Sequence, residues 1–70
     1  MLYTHEMFEK YLDSTGAEEE AFNYVDAGMS NDEIRADIEE YLKDYEFEVA
    51  EDREEYINAI LSTVEKQRNE

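Results

Sequence analysis

The chain has 70 residues with 21 acidic and 6 basic side chains, which gives a formal net charge of −15. Such a charge repels DNA, RNA and anionic membranes and favours encounter with basic proteins. Cysteine is absent, which excludes disulfides and thiolate metal sites, and the N-terminus lacks the basic and apolar regions of a signal peptide. We therefore expect one acidic cytoplasmic domain, residues 1–70, that neither crosses nor binds a membrane.

Two features of the composition argue against disorder, which a high net charge would otherwise indicate. Hydrophobic residues make up 41% of the chain and aromatic residues 13%, and proline is absent, whereas disordered acidic chains are poor in aromatics. A domain of this length buries only about 60% of the surface that its unfolded chain exposes, so its stability is marginal. We predict a folded all-α domain, a small bundle of about four short helices.

The first two helices are predicted from their caps. Thr4 suits the N-cap of a helix over residues 4–13, and a second helix is predicted over residues 17–27. Three consecutive glutamates in the first turn of the second helix complement the helix dipole. Gly28 suits its end, because glycine adopts the left-handed conformation without steric cost.

The third helix has the clearest start signal. Glu33 follows Ser30 at the spacing of a capping box. The apolar positions recur with the helical period, at Ile34, Ile38, Tyr41, Leu42 and Tyr45. Carboxylates repeat on the neighbouring stripe, at Glu33, Asp37, Glu40 and Asp44. One face of this helix is therefore predicted as core and the next as acidic.

Residues 45–49 alternate apolar and acidic side chains, which predicts a short extended segment. No second strand is evident, so three alternatives stay open: an irregular connector, a continuation of the third helix, or an edge that pairs with a second copy in a homodimer. Asp52 and Glu55 have the spacing of another capping box and begin a last helix that ends near Lys66. Its apolar face comprises Tyr56, Ile57, Ile60, Leu61 and Val64.

Aromatic residues form a second notable set. Helical periodicity places Phe8, Phe22 and Tyr41 on inner faces, so we predict that they belong to the core. Four others flank the acidic stretch and are candidate interface anchors, because aromatic residues dominate binding hot spots. They are Tyr24, Tyr45, Phe47 and Tyr56. Phe47 is the favoured anchor.

Residues for metal binding or catalysis are not present in a usable pattern. A calcium loop starting at Asp26 would need glycine at its sixth position and glutamate at its twelfth, which are Asn31 and Asp37. His5 is the only histidine, too few for a zinc site, and is predicted to lie on the surface of the first helical turn. Without cysteine, no nucleophile and base can be paired convincingly, so we expect neither enzyme activity nor a cofactor.

Carboxylates dominate residues 32–55, where Arg35, Lys43 and Arg53 alone oppose twelve acids. Like charges four residues apart destabilise a helix, so folding gives little reason to keep this pattern. We predict that it binds a basic partner. The predicted partner-binding residues are Glu33, Asp37, Glu40, Asp44, Glu46, Phe47, Glu48, Glu51, Asp52, Glu54 and Glu55.

Charge spacing bears on whether these carboxylates can imitate nucleic acid. Duplex DNA carries one charge per about 1.7 Å of axis. As a helix, residues 31–45 span about 22 Å and carry six acids against two bases, which is one net charge per about 5 to 6 Å. One helix is too sparse, so mimicry requires that several elements, or the two copies of a homodimer, share the surface.

In size, charge and lack of catalytic groups the chain resembles the acidic DNA-mimic inhibitors that bacteriophages make against host DNA-binding proteins. Those proteins inhibit uracil-DNA glycosylase, CRISPR effectors, restriction enzymes and the nucleoid protein HU, and because they share no motif, no residue role carries over. The resemblance implies an inhibitor, acting in the host cytoplasm, that blocks the DNA-binding surface of a basic protein and does not itself bind nucleic acid. An HU-like nucleoid protein is the favoured target.

The alternative is an immunity, antitoxin or anti-CRISPR type protein. Such a protein would neutralise a basic nuclease through aromatic anchors with an acidic rim.

Overall fold

The computed structural model describes residues 1–70, which form four helices and one short sheet. The elements in chain order are β1 (Leu2–Tyr3), α1 (His5–Asp13), α2 (Gly16–Asp26), α3 (Asn31–Leu42), β2 (Glu46–Phe47) and α4 (Glu51–Arg68). The prediction of a small all-α fold with about four helices and an extended segment near residues 45–49 is confirmed. No helix combines the length and the apolar character needed to cross a membrane.

The hydrophobic core lies between α4 and the other helices. α4 makes its most extensive contacts with α2 and next with α3. On α3, residues four apart face inward, so Ile34, Ile38 and Leu42 are fully buried. Ala21 is the buried residue of α2, where a small side chain allows close approach to α4. The nine core residues are Phe8, Ala21, Ile34, Ile38, Leu42, Tyr56, Ile57, Ile60 and Val64.

Both side-chain caps that the sequence predicts at the starts of α1 and α3 are present. The hydroxyl of Thr4 accepts a hydrogen bond from the N–H of Met7 at 3.1 Å. At the start of α3, the N–H of Glu33 donates to the Ser30 hydroxyl at 3.2 Å, and the N–H of Ser30 donates to the Glu33 carboxylate at 3.0 Å. This reciprocal pair satisfies two backbone donors that a helix start otherwise leaves unpaired.

Gly28 ends α2, as its sequence position predicts. It has a φ of 70°, in the left-handed region. Its N–H donates to the carbonyl of Val25, and the N–H of Met29 donates to the carbonyl of Tyr24. These two hydrogen bonds are the pattern of a Schellman ending, which releases the chain toward α3.

The cap at Ser30 leads to a stability prediction with a control inside the same chain. Ser30→Ala removes the capping hydroxyl, and we expect a loss of about 1 kcal/mol in the free energy of unfolding. Thr15 is the N-cap residue of α2 but makes no side-chain capping hydrogen bond, so Thr15→Ala should change stability by less than half as much. Urea unfolding of both variants measures the difference, and equal losses would contradict the role assigned to the capping box.

β1 and β2 pair in parallel, with Tyr3 opposite Phe47. The N–H groups of Glu46 and Glu48 donate at 2.9 Å to the carbonyls of Met1 and Tyr3. The expectation that the extended segment has no partner strand in this chain is therefore wrong. A strand of two residues is too short to produce an alternating pattern, so β1 leaves no signal in the sequence.

Phe22 and Tyr41 are 62% and 59% exposed, so the prediction that they belong to the core is wrong. Phe22 lies about 100° around the helix from Ala21, the residue of α2 that faces the core. Tyr41 lies at the edge of the inward stripe that contains Ile38 and Leu42. The period of the apolar residues shows which side of a helix faces the core. It does not show how wide a stripe of that helix is covered by the neighbouring helices.

Candidate acidic interface

The highest local density of exposed carboxylates lies between α3 and α4. We use the term acidic connector for residues 44–55, which run from the end of α3 through β2 into the first turn of α4. Alternation along β2 turns its acids outward, and the half-buried Phe47 packs against the core. The exposed acids of the connector are Asp44, Glu46, Glu48, Glu51, Glu54 and Glu55.

Contacts with the N-terminal residues hold the acidic connector in place. Besides the pairing of β1 with β2, the N–H of His5 donates to the Glu48 carboxylate at 3.1 Å. The N-terminal amino group donates to the backbone carbonyl of Asp44 at 3.3 Å. The connector carboxylates therefore project from a backbone that is hydrogen-bonded at several points.

Several predicted partner-binding carboxylates already have partners within the chain. The pairs are Glu33 with Ser30, Asp37 with Tyr24, Glu40 with Lys43, Glu48 with His5, and Glu54 with Arg35. Four others form no side-chain hydrogen bond or ion pair, namely Asp44, Glu46, Glu51 and Glu55. Those four lie in the acidic connector and are the most available to a partner.

The predicted carboxylates do not share one face. Asp37 lies on the flank of α3 next to α2, where its carboxylate accepts a hydrogen bond from the Tyr24 hydroxyl at 2.7 Å. Glu54 lies next to the opposite flank of α3, where it pairs with Arg35. Residues two apart on a helix point about 200° apart, so these positions diverge. The acids therefore extend around two sides of the domain.

Asp52 is only 2% exposed, so it does not belong to the predicted partner-binding surface. Its predicted role as the N-cap of α4 is also wrong. Its Oδ2 lies 2.8 Å from Nδ1 of His5, while Nε2 of His5 lies 2.8 Å from the Glu9 carboxylate. α4 instead begins at Glu51, after Ala50, which has no capping side chain. The buried carboxylate of Asp52 thus contacts the half-exposed imidazole of His5, a long-range contact that no local motif in the sequence indicates.

The contact between His5 and Asp52 predicts a pH-dependent stability. The hydrogen bond to Asp52, supported by the charges of Asp52, Glu9 and Glu48, raises the pKa of His5 above its ordinary value of 6.5. A raised pKa means that the folded state binds the proton more tightly than the unfolded state. The stabilisation is complete below about pH 6.5 and disappears as the pH rises through the raised pKa.

We therefore expect wild type to lose its thermal stability advantage over His5→Gln as the pH is raised from about 6.5 into the alkaline range. Glutamine keeps a hydrogen-bonding side chain but does not titrate. Melting temperatures of the two proteins across this range test the prediction, and a pH-independent difference would contradict it.

Aromatic rings form a continuous row beside the acidic connector. The ring of Tyr3 lies 4.9 Å from that of Phe47 and 5.9 Å from that of Tyr45, centroid to centroid. Tyr45 in turn lies 5.5 Å from Tyr41. Phe47 is therefore packed within the row, whereas Tyr41 is the member with most of its surface exposed. The sequence pattern does not single out Tyr41, because it also fits the core period of α3.

The basic side chains offer little compensation for the negative surface. Five of the six are engaged within the chain: Lys10, Arg35, Lys43, Arg53 and Arg68. Lys66 is the exception. The carboxylates are all exposed except Glu20, Glu39 and Asp52. An approaching molecule therefore meets a surface that is negative over most of its area.

A cleft of about 370 Å³ lies between α2 and α3. Its lining residues are Glu20, Asn23, Tyr24, Asp37, Ile38 and Tyr41. Burial raises the pKa of Glu20, although the nearby hydroxyls of Tyr11 and Tyr56 oppose the shift. A hydrogen bond with Tyr45, together with burial, raises the pKa of Tyr41 to about 12. The cleft tyrosines are therefore neutral at physiological pH, and the carboxylates supply its charge.

No three histidine or acidic side chains converge in a way that would hold a metal ion. Comparison with family models, curated proteins and solved structures finds no significant match. A functional interpretation therefore rests on the physical properties of this chain alone.

Proposed function

We propose that this protein binds the DNA-binding surface of a basic protein and blocks it, with its carboxylates in the place of DNA phosphates. Charge density supports the proposal. A net charge of −15 on a body whose longest extent is 33 Å corresponds to one charge per about 2 Å, close to the one per about 1.7 Å of duplex DNA. The single chain thus reaches the density that its third helix alone lacks, and no second copy is required.

The way in which the charge is held also supports this function. Carboxylates on disordered chains would lose conformational entropy on binding, whereas the acidic connector is already fixed by β1 and by His5. Long-range attraction to a positive surface accelerates association and makes it strongly dependent on salt. The favoured target is a nucleoid-associated protein of the HU type, which would encounter the inhibitor in the bacterial cytoplasm.

A displacement assay tests this proposal. A fluorescent DNA duplex is bound to a purified HU-type protein at about 50 mM salt, and the acidic protein is titrated in. Direct binding of the acidic protein to the HU-type protein without DNA is then measured at about 50 and 500 mM salt, because high salt by itself releases the duplex. We expect stoichiometric displacement at low salt and a large loss of affinity at high salt. A control with lysozyme, a basic protein whose function is not DNA binding, tests for indiscriminate attraction.

The outcomes separate the class of function from the choice of target. An affinity for the HU-type protein that does not change with salt, or equally tight binding to lysozyme, would contradict phosphate mimicry. If the HU-type protein is not bound, capture from bacterial lysate at the two salt concentrations decides the class. Recovery of no DNA-binding protein at low salt would overturn the proposal.

A second candidate function is neutralisation of a basic nuclease through aromatic anchors, as immunity, antitoxin or anti-CRISPR type proteins would do. The exposure of Phe22 and Tyr41 favours it, because large exposed aromatic side chains are common hot spots. Under this alternative, Phe22→Ala and Tyr41→Ala would weaken binding more than neutralisation of the acidic connector does. Under the mimicry proposal the order is reversed.

A further inference from the structure

We infer that the cleft between α2 and α3 receives an arginine side chain of the basic partner. This inference rests on the proposed function and names a specific pocket within the interface. It follows from the groups that line the two walls of the cleft, from the lack of a cation beside them, from the volume of the cleft and from its position next to the acidic connector.

The two walls present complementary groups for a planar cation. α2 contributes Glu20 and Asn23 to the lining, and α3 contributes Asp37 and Tyr41. A guanidinium group forms paired hydrogen bonds with carboxylates and stacks on aromatic rings. Tyrosine also attracts a cation through the charge distribution of its ring. The cleft therefore has both kinds of group that recognise arginine.

The carboxylates of the cleft lack a cation from within the chain. No lysine or arginine lines it. The nearest basic residue along α3, Arg35, pairs with Glu39 and Glu54 on the other flank. Of the two carboxylates in the cleft, Glu20 is partly buried, and a partly buried negative charge is costly unless it is paired, so an entering cation would relieve this imbalance.

A polar group next to the cleft also lacks a partner. The hydroxyl of Tyr11, which interacts with the Glu20 carboxylate, is buried and forms no hydrogen bond of good geometry. Buried polar atoms without partners are uncommon in proteins. The Tyr11 hydroxyl is therefore incompletely satisfied in the unbound chain.

The cleft is large enough to hold one long side chain. A volume of about 370 Å³ lies at the lower end of the range for small-molecule sites, about 300 to 1,000 Å³. The rings of the half-buried Tyr24 and the exposed Tyr41 supply apolar surface against which the methylene groups of a long side chain can pack. The shape and chemistry match an arginine that extends from a protein surface.

The cleft also adjoins the acidic connector. Tyr41 lines the cleft, and its hydroxyl lies 3.4 Å from that of Tyr45, the residue next to Glu46. A partner that covers the acidic connector would therefore reach the cleft with a neighbouring side chain. The start of the connector and the cleft are therefore neighbours, so that the connector supplies long-range attraction and the cleft supplies a specific contact.

A titration with a minimal ligand tests the inference without a protein partner. Nα-acetyl-arginine amide is added to isotope-labelled protein, and backbone amide shifts are followed by NMR. The matched control is Nα-acetyl-citrulline amide, which has nearly the same shape but no charge. We expect saturable shifts at residues 20–24 and 37–41 with the arginine compound, in the millimolar range, and none with the citrulline compound.

Two pairs of substitutions localise the effect. Glu20→Gln with Asp37→Asn neutralises the cleft and keeps hydrogen-bonding side chains, and should weaken binding of the arginine compound at least about tenfold. Asp13→Asn with Asp26→Asn removes the same charge elsewhere and should change it by less than about twofold. Melting curves of both variants verify that the fold is intact.

Several results would overturn the inference: equal shifts with the citrulline compound, shifts spread evenly over the acidic surface, or equal losses in the two variants. A failure of the inference is distinguishable from a failure of the proposed function. If the cleft variant displaces DNA from an HU-type protein as well as wild type does, the proposed function is supported and the arginine site is contradicted. If neither protein displaces DNA, the proposed function fails for that target.

Discussion

Ile60→Ala is expected to lower the free energy of unfolding by about 2 to 5 kcal/mol, because it removes buried methyl groups and leaves a cavity. Ile60 is fully buried in α4, which contacts α2 and α3. Native domains have about 0.05 to 0.15 kcal/mol of stability per residue, or about 3.5 to 10 kcal/mol for a chain of this length. One truncated side chain would therefore remove a large fraction of the total.

Leu12→Ala is the matched control for this core substitution. It removes a similar number of carbon atoms from a side chain that is 48% exposed on α1, so we expect a change within about 0.5 kcal/mol. Urea unfolding measures both variants, and the slope of the unfolding free energy against urea concentration should be the same in each. A small effect of Ile60→Ala, or similar effects of the two changes, would contradict the arrangement of the core around α4.

Neutralising the four unpaired acids of the acidic connector should weaken binding to an HU-type protein by about 30- to 100-fold at low salt. The variant combines Asp44→Asn, Glu46→Gln, Glu51→Gln and Glu55→Gln. These side chains have no partner in the chain, so their removal breaks no internal hydrogen bond or ion pair. The loss should shrink as the salt concentration rises, because screening already weakens these contacts in wild type.

A control variant with the same net charge separates position from total charge. It combines Asp13→Asn, Asp26→Asn, Glu65→Gln and Glu70→Gln, which are exposed acids near the C-terminal ends of helices. We expect it to retain binding within about fivefold, since long-range attraction depends on net charge but close contacts do not. Dissociation constants of both variants measure the effect, and equal losses would show that the acidic connector has no special role.

The two variants should differ slightly in stability for a reason unrelated to binding. Glu51 lies in the first turn of α4, where a negative charge is favourable, whereas Asp13 and Asp26 end helices, where it is unfavourable. Melting temperatures of both variants, measured together with their affinities, separate the effect on stability from the effect on binding.

Local patterns predicted the helices of this protein well. Three helix ends could be predicted because their contacts join residues only a few positions apart. They are the capping box at Ser30, the cap at Thr4 and the glycine after α2. The buried residues of α3 and α4 were likewise predictable, because apolar side chains that recur every three to four positions among charged ones indicate one face of a helix.

Features that depend on distant contacts were not predictable. β1 has two residues and acquires its identity only by pairing with β2, more than 40 positions away. Asp52 has the local spacing of a cap, but its buried carboxylate contacts the half-exposed imidazole of His5, 47 positions earlier. The cleft between α2 and α3 likewise depends on how two helices pack, which sets which of Tyr24 and Tyr41 is covered.

The most direct test of phosphate mimicry is the footprint of this protein on an HU-type partner. Hydrogen exchange of the partner is measured alone, with the acidic protein, and with a DNA duplex. We expect the acidic protein and the duplex to protect the same segments of the partner, and we expect the connector variant to lose that protection. Protection of a different surface, with DNA still bound in the same complex, would contradict the proposed function.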